Sequence, residues 1–143
     1  VFRSETPGRF FHPQGYGTLG YALPAALGAK LGKPRAPVVA LVGDGGILYT
    51  LSEMATAVDE KLPVVVVLWN NRSLQQIREG FVERGIEPVG VSPAPPDFET
   101  LARGFGWRAA KVERFAEIGP AMRAAHESGR PSLVEIDAGR IGD

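Results

Sequence analysis

Hydrophobic and polar positions along the chain fall into blocks with two different periods. Val38-Val39-Ala40-Leu41-Val42 and Val64-Val65-Val66-Val67-Leu68-Trp69 are short, almost unbroken apolar runs, the pattern of strands covered on both faces. Between them, Thr50 to Lys61 places Leu51, Met54, Ala55 and Val58 at helical intervals, so the stretch predicts strand, crossover helix, strand. Such a unit is parallel and right-handed. A short helix is predicted over Ser73 to Gly80, after which Pro88, Pro93, Pro95 and Pro96 mark a surface loop that reads as a lid or pocket wall. Asp97 is a candidate N-cap for a helix through Leu101, Ala102 and Phe105. Arg108 to Val112 reads as a strand and Phe115 to Glu127 as an amphipathic helix. Gly129-Arg130-Pro131 then turns the chain into a last strand, Ser132 to Ile136. The fold class is α/β, a doubly wound, mainly parallel sheet with helices on both faces.

Parallel strands send their carboxyl ends to one edge of the sheet, about 5 Å apart if they are neighbours. The first apolar run enters Gly43-Asp44-Gly45-Gly46 and the second enters Asn70-Asn71, so Asp44 and Asn71 are placed to share one ligand. A carboxylate and an amide oxygen are hard donors suited to Mg2+ or Ca2+, and Mg2+ usually keeps positions for water and substrate phosphate. Gly45 and Gly46 let backbone N–H groups approach an anion. From Ile47 onward the chain leads toward a helix N-terminus, whose dipole favours phosphate. These residues predict a metal-bridged diphosphate site.

Composition narrows the partners. The 143 residues carry 16 Lys+Arg against 16 Asp+Glu, a balance that argues against nucleic acid or an anionic membrane as the main partner. With 44% hydrophobic residues the chain can bury one sizeable core. Leu62 to Trp69 is far too short to span a bilayer. There is no cysteine, hence no disulfide or thiolate chemistry. Nothing resembles a signal peptide, and a cytoplasmic location is the default expectation. The opening Val1 to Gly8 lacks methionine and periodicity, which suggests a piece of a longer chain forming a single domain over 1–143.

Other features carry a plainer reading beside the chemical one. Gly15-Tyr16-Gly17-Thr18-Leu19-Gly20 spells GxGxxG, the dinucleotide fingerprint, but Pro13 spoils the strand that should precede it. Glu53 is explained by the helix macrodipole as well as by a place near a ligand. His12 is a proton-donor candidate or a loop bystander, His126 reads as solvated, and Trp69 as core.

Gly43-Asp44-Gly45 followed by Asn70-Asn71 resembles the cofactor motif of thiamine diphosphate enzymes. Gly17-Thr18-Leu19-Gly20-Tyr21-Ala22-Leu23-Pro24-Ala25-Ala26 resembles the segment that meets the aminopyrimidine ring in acetohydroxyacid synthases and 2-oxo acid decarboxylases. The resemblance runs from about Gly8 to Gly139 and corresponds to the diphosphate-binding domain alone. It implies Asp44, the Asn71 side chain and the Ser73 carbonyl as Mg2+ ligands, Gly45 and Gly46 as donors to the diphosphate, and Leu74 beside the cofactor. It also implies a Gly17 carbonyl that accepts from the pyrimidine amino group, with Thr18 adjacent. Leu19 becomes an apolar wedge that enforces the bent cofactor, which then helps generate its own ylid. The activating glutamate is expected on a separate pyrimidine-binding domain, so no catalytic side chain is assigned here and the piece alone is expected to be inactive.

Departures within the family bear on the reaction. Where pyruvate decarboxylase-like enzymes carry a glutamate, this chain has Ile77. Where acetohydroxyacid synthases carry Gly-Met-Val and a tryptophan, it has Gln75-Gln76-Ile77 and Gly80. Asn70 to Arg78, Ile86 to Val91 and Pro96-Asp97-Phe98 resemble an acetolactate synthase-like branch that includes guanidino-oxo acid decarboxylases. The implied function is decarboxylation of a 2-oxo acid, followed by protonation or carboligation of the enamine, in a homo-oligomer. The alternatives are a non-catalytic or regulatory thiamine diphosphate-binding module and, more remotely, a dinucleotide-binding domain.

Overall fold

The computed structural model describes residues 4–142. Four strands, β1 (Val39–Gly43), β2 (Val65–Asn70), β3 (Arg108–Val112) and β4 (Ser132–Asp137), form one sheet in the order β1-β2-β4-β3 with every neighbouring pair parallel. All four carboxyl ends therefore share one edge, and β2 and β4 lie in the middle. Six α-helices are described: α1 (Ala22–Gly32), α2 (Asp44–Ile47), α3 (Glu53–Asp59), α4 (Gln75–Glu83), α5 (Phe98–Gly104) and α6 (Phe115–Glu127).

Alternate residues of β2 feed two cores, which is why its sequence shows no polar alternation. Val64, Val66 and Leu68 pack with Leu23 and Leu27 of α1, Met54 of α3 and Phe98 of α5. Val65 and Val67 pack on the other face with Val134, Ile136 and the α6 residues Ile118, Met122 and Ala125. Each large side chain buried this way contributes roughly 1.5–3 kcal/mol. Trp107 is buried in the first core, and its indole Nε1 donates to the Met54 carbonyl at 2.8 Å, tying α3 to the start of β3. Asp97 caps α5 by accepting from the Thr100 amide at 3.0 Å. Among the described residues no helix is long and apolar enough to cross a membrane.

Three sequence expectations shift. The crossover helix begins only at Glu53, because Leu48–Thr50 form a separate 3-10 turn; its inward face is Met54 and Ala57, while Ala55 and Val58 are exposed. α4 starts two residues later than Ser73 and continues to Glu83. Trp69 is not core but 38% exposed. α6 covers β2, β3 and β4 and leaves the matching face of β1 open, so Leu41 stands 71% exposed on the same side of the sheet as Trp69.

Candidate functional site

The shared edge gathers three chain segments. At the end of β1, Gly43 is extended and helical geometry begins at Asp44 itself, three residues before the Ile47 expected from sequence. Gly45 and Gly46 thus fall in a first turn, where N–H groups have no intrahelical acceptor. Asp44 is buried, 5% exposed, and its Oδ1 accepts from the Gly45 amide at 2.9 Å. Gly45 is held to its size by a neighbour: a Cβ there would lie 2.5 Å from Leu74 Cδ2.

At the end of β2, Asn71 makes a tight turn. Its Oδ1 accepts from the Ser73 amide at 3.1 Å, and its Nδ2 donates to Gln75 Oε1 at 2.8 Å. Gln75 in turn donates to Glu79 at 2.7 Å. This relay along α4 fixes which end of the Asn71 amide is oxygen. Because β1 and β2 pair with Gly43 opposite Trp69, Asp44 and Asn71 emerge beside each other from adjacent strands.

The third segment is Gly17 to Tyr21. Gly17 (φ +59) and Gly20 (φ +85) occupy the left-handed region that favours glycine. A Cβ on Gly20 would sit 2.9 Å from Tyr49 Cβ, and the Gly20 carbonyl accepts from Thr50 Oγ1 at 3.0 Å. The segment is thereby fastened to the turn that follows Asp44. Gly17, Thr18, Leu19, Asp44, Gly45, Gly46, Asn71, Ser73 and Leu74 all line one cavity of about 420 Å³, together with Trp69, Gln76 and Ile77.

Other candidates lie elsewhere. His12 is exposed, 3.2 Å from the Gln14 amide nitrogen and packed near Phe10, and it does not line the cavity. Glu53 opens α3 away from the cavity lining, and His126 is exposed on α6. Among the described residues no strand precedes the GxGxxG segment, so no dinucleotide-type βα turn is described there.

A polar cluster behind the Asn71 turn was not anticipated. Glu135 and Asp137, on β4, are buried at the same sheet edge. Asn70 donates to Glu135 at 2.7 Å, and Arg72 donates to Asp137 at 2.7 Å. Lys111 lies 3.1 Å from Asp137. The bond from Arg72, with Lys111 assisting, holds the Asp137 carboxyl down at about 2, against the opposing effect of burial. The Arg72 guanidinium is shifted up by the same bond. The available signal was Ser132-Leu133-Val134-Glu135-Ile136-Asp137 itself, since two acids in an otherwise buried strand need partners.

The family model described as "Thiamine pyrophosphate enzyme, C-terminal TPP binding domain" matches residues 1–136. The chain belongs to that family. It is 48% identical over 137 residues to a probable 2-ketoarginine decarboxylase of Pseudomonas aeruginosa, covering 95% of this chain and 24% of the relative. It is 35% identical over 140 residues to a probable acetolactate synthase large subunit of Methanocaldococcus jannaschii, covering 94% and 23%. Among solved structures, the thiamine diphosphate-dependent 4-hydroxybenzoylformate decarboxylase of Rhodococcus jostii RHA1 superposes with a TM-score of 0.79 at 33% identity, covering 85% of this chain and 23% of that one. The chain spans about a quarter of the length of the relatives it matches.

Proposed function

We propose that this chain binds thiamine diphosphate through Mg2+ as one domain of a longer enzyme that decarboxylates a 2-oxo acid. The observation that carries the reading is the convergence of Gly17–Leu19, Asp44–Gly46 and Asn71–Leu74 on one cavity at the carboxyl edge of a parallel sheet. The donor chemistry fits the group. Asp44 offers a buried carboxylate, Asn71 an amide oxygen whose orientation is set by Gln75, and Ser73 a main-chain carbonyl. Among the described residues no three His, Cys, Asp or Glu side chains cluster as a cage. A site with one carboxylate suits Mg2+ that takes its remaining oxygens from phosphate and water.

When bound, thiamine diphosphate supplies the electron sink for loss of CO2. The chain's own part is placement. The first-turn amides at Gly46 and at Gly45, which here donates to Asp44 Oδ1, would serve the diphosphate; Leu19 and Leu74 would give apolar walls, and the Gly17 carbonyl would accept from the pyrimidine amino group. Gln76, Ile77 and Trp69 also line the cavity and would face the substrate side chain. The identity to a 2-ketoarginine decarboxylase and the Asn70 to Arg78 run favour a 2-oxo acid with a polar, guanidino-type end. The bound cofactor would support either simple decarboxylation or carboligation to a second carbonyl compound. The glutamate that activates the pyrimidine comes from a pyrimidine-binding domain of the same enzyme, and the open face around Leu41 and Trp69 favours a homo-oligomer.

Tryptophan fluorescence tests the reading, because Trp69 lines the cavity while Trp107 is buried in the core. Thiamine diphosphate with Mg2+ should quench emission saturably, and Trp69→Phe should remove most of the quenching. Quenching that does not depend on Mg2+, or that survives Trp69→Phe, counts against it.

A further inference from the structure

We propose that Arg72, Asp137 and Gly139 form a positioning clamp that holds the Asn71–Ser73 turn in the geometry needed by its two metal ligands. The proposal rests on reading Asn71 and Ser73 as Mg2+ ligands. Arg72 sits between them with φ +56, a left-handed conformation that a branched or long side chain does not adopt without compensation. Three contacts supply that compensation. The Arg72 guanidinium donates to Asp137 at 2.7 Å, and the Asp137 side chain is 0% exposed. Its amide donates to Asn70 Oδ1 at 3.3 Å, while Asn70 is itself fixed by its bond to buried Glu135. Gly139 leaves the space: a Cβ there would meet Arg72 Nη1 at 2.8 Å, and the Gly139 amide donates to Asp137 Oδ1 at 3.2 Å. The backbone of β4 continues the support, since the Ala138 amide donates to the Asn70 carbonyl at 2.9 Å.

Asp137 is thus joined to the ligand turn from behind, through Arg72, and its carboxylate lies on β4 rather than on either ligand segment. Without the guanidinium, Asp137 keeps Lys111 at 3.1 Å and Arg140 at 3.9 Å, so the buried carboxylate stays paired while the turn loses its tether. Its role is to keep the Asn71 Oδ1 and the Ser73 carbonyl from wandering before the cation arrives.

Two variants test this without touching either ligand. Arg72→Gly tolerates φ +56 and removes the guanidinium; Gly139→Ala pushes the guanidinium away from a distance and needs no left-handed backbone. Amide hydrogen exchange of Ser73, whose N–H is held by Asn71 Oδ1, should quicken about tenfold in both, the size expected for losing a charge-assisted bond, with β2 and β4 amides unchanged. In calorimetry with thiamine diphosphate, the Mg2+ concentration for half-saturation should rise about tenfold by the same reasoning, affinity recovering at saturating Mg2+. Arg72→Lys should fall between wild type and Arg72→Gly. A merely structural pair would lower the melting temperature while leaving the Ser73 exchange and the Mg2+ midpoint in place, and either of these unchanged in both variants overturns the clamp. If the wild-type chain binds thiamine diphosphate without needing Mg2+, the metal reading itself falls, whatever the exchange shows.

Discussion

Adding one methyl group at Gly45 separates the site from the fold. The new Cβ would lie 2.5 Å from Leu74 Cδ2 and 3.6 Å from its Cγ, well inside contact distance. Both obstructing atoms belong to the outer part of a flexible side chain that is only half-buried, so Leu74 can rotate away. A rotamer change of that kind costs about 1 kcal/mol, equivalent to a melting temperature lowered by roughly 3–4 °C for a domain of this size. The direction of escape matters more than its cost. Leu74 and Gly45 both line the cavity, so the displaced isobutyl group enters space proposed for the diphosphate. Gly45→Ala should therefore weaken thiamine diphosphate binding at least tenfold, about 1.4 kcal/mol, while remaining folded. Differential scanning calorimetry and titration calorimetry on the same preparation measure both. Gly20→Ala is the contrast: it combines φ +85 with a 2.9 Å approach to Tyr49 Cβ, an atom anchored to the backbone, and should cost roughly 1–3 kcal/mol of stability. If Gly45→Ala keeps wild-type affinity, or destabilises more than Gly20→Ala, the placement of Leu74 beside the cofactor is wrong.

Further outcomes follow from the same contacts. Leu19 is 41% exposed, so Leu19→Ala should scarcely move the melting temperature yet lower cofactor affinity, an apolar wall being lost only when the cofactor covers it; an unchanged dissociation constant would deny Leu19 its wedge role. Trp107→Phe leaves the Met54 carbonyl without its donor and should cost about 1–3 kcal/mol in denaturant unfolding, with a negligible cost refuting the claim that this bond ties α3 to β3. Asp137, with its carboxyl held at about 2, contributes stability that is fully present above the ordinary aspartate value near ~3.9 and lost as pH falls through about 2. The melting-temperature gap between wild type and Asp137→Asn should accordingly be wide at neutral pH and close between those two values, and a gap independent of pH would contradict the Arg72 pairing.

The sheet was legible because burial on both faces makes Val65 to Leu68 of β2 apolar, and Asp97 announced α5 through a capping chemistry that is local to four residues. α6 was legible from its amphipathic spacing, with Ile118, Met122 and Ala125 turned to the sheet. Trp69 misled because an unbroken apolar run carries no mark of where its cover ends; only the position of α6 across the sheet exposes it. The crossover face was misjudged at Ala55 and Val58 because Met54, Ala55, Ala57 and Val58 all fit helical spacing, and only the placement of α3 against the sheet selects Met54 and Ala57 as the inward pair. The Asp44–Gly46 and Asn71 segments were found through turn glycines and strand-end polar residues, features that hydrogen-bond nearby in sequence, whereas Gly17–Leu19 was reached only through the family resemblance. The support behind them, Arg72 with Asp137 and Asn70 with Glu135, joins residues 65 positions apart, and becomes visible only once β2 and β4 are paired.

The proposed function stands on Asp44 and Asn71 holding Mg2+ for the diphosphate. Asp44 is buried but belongs to neither apolar core, and its one side-chain hydrogen bond is to the next amide, so its replacement should leave the fold in place. Titration calorimetry of thiamine diphosphate in the presence of Mg2+ should give saturable binding to the wild-type chain and none to a folded Asp44→Ala protein. Equal affinity in the two proteins would contradict the account.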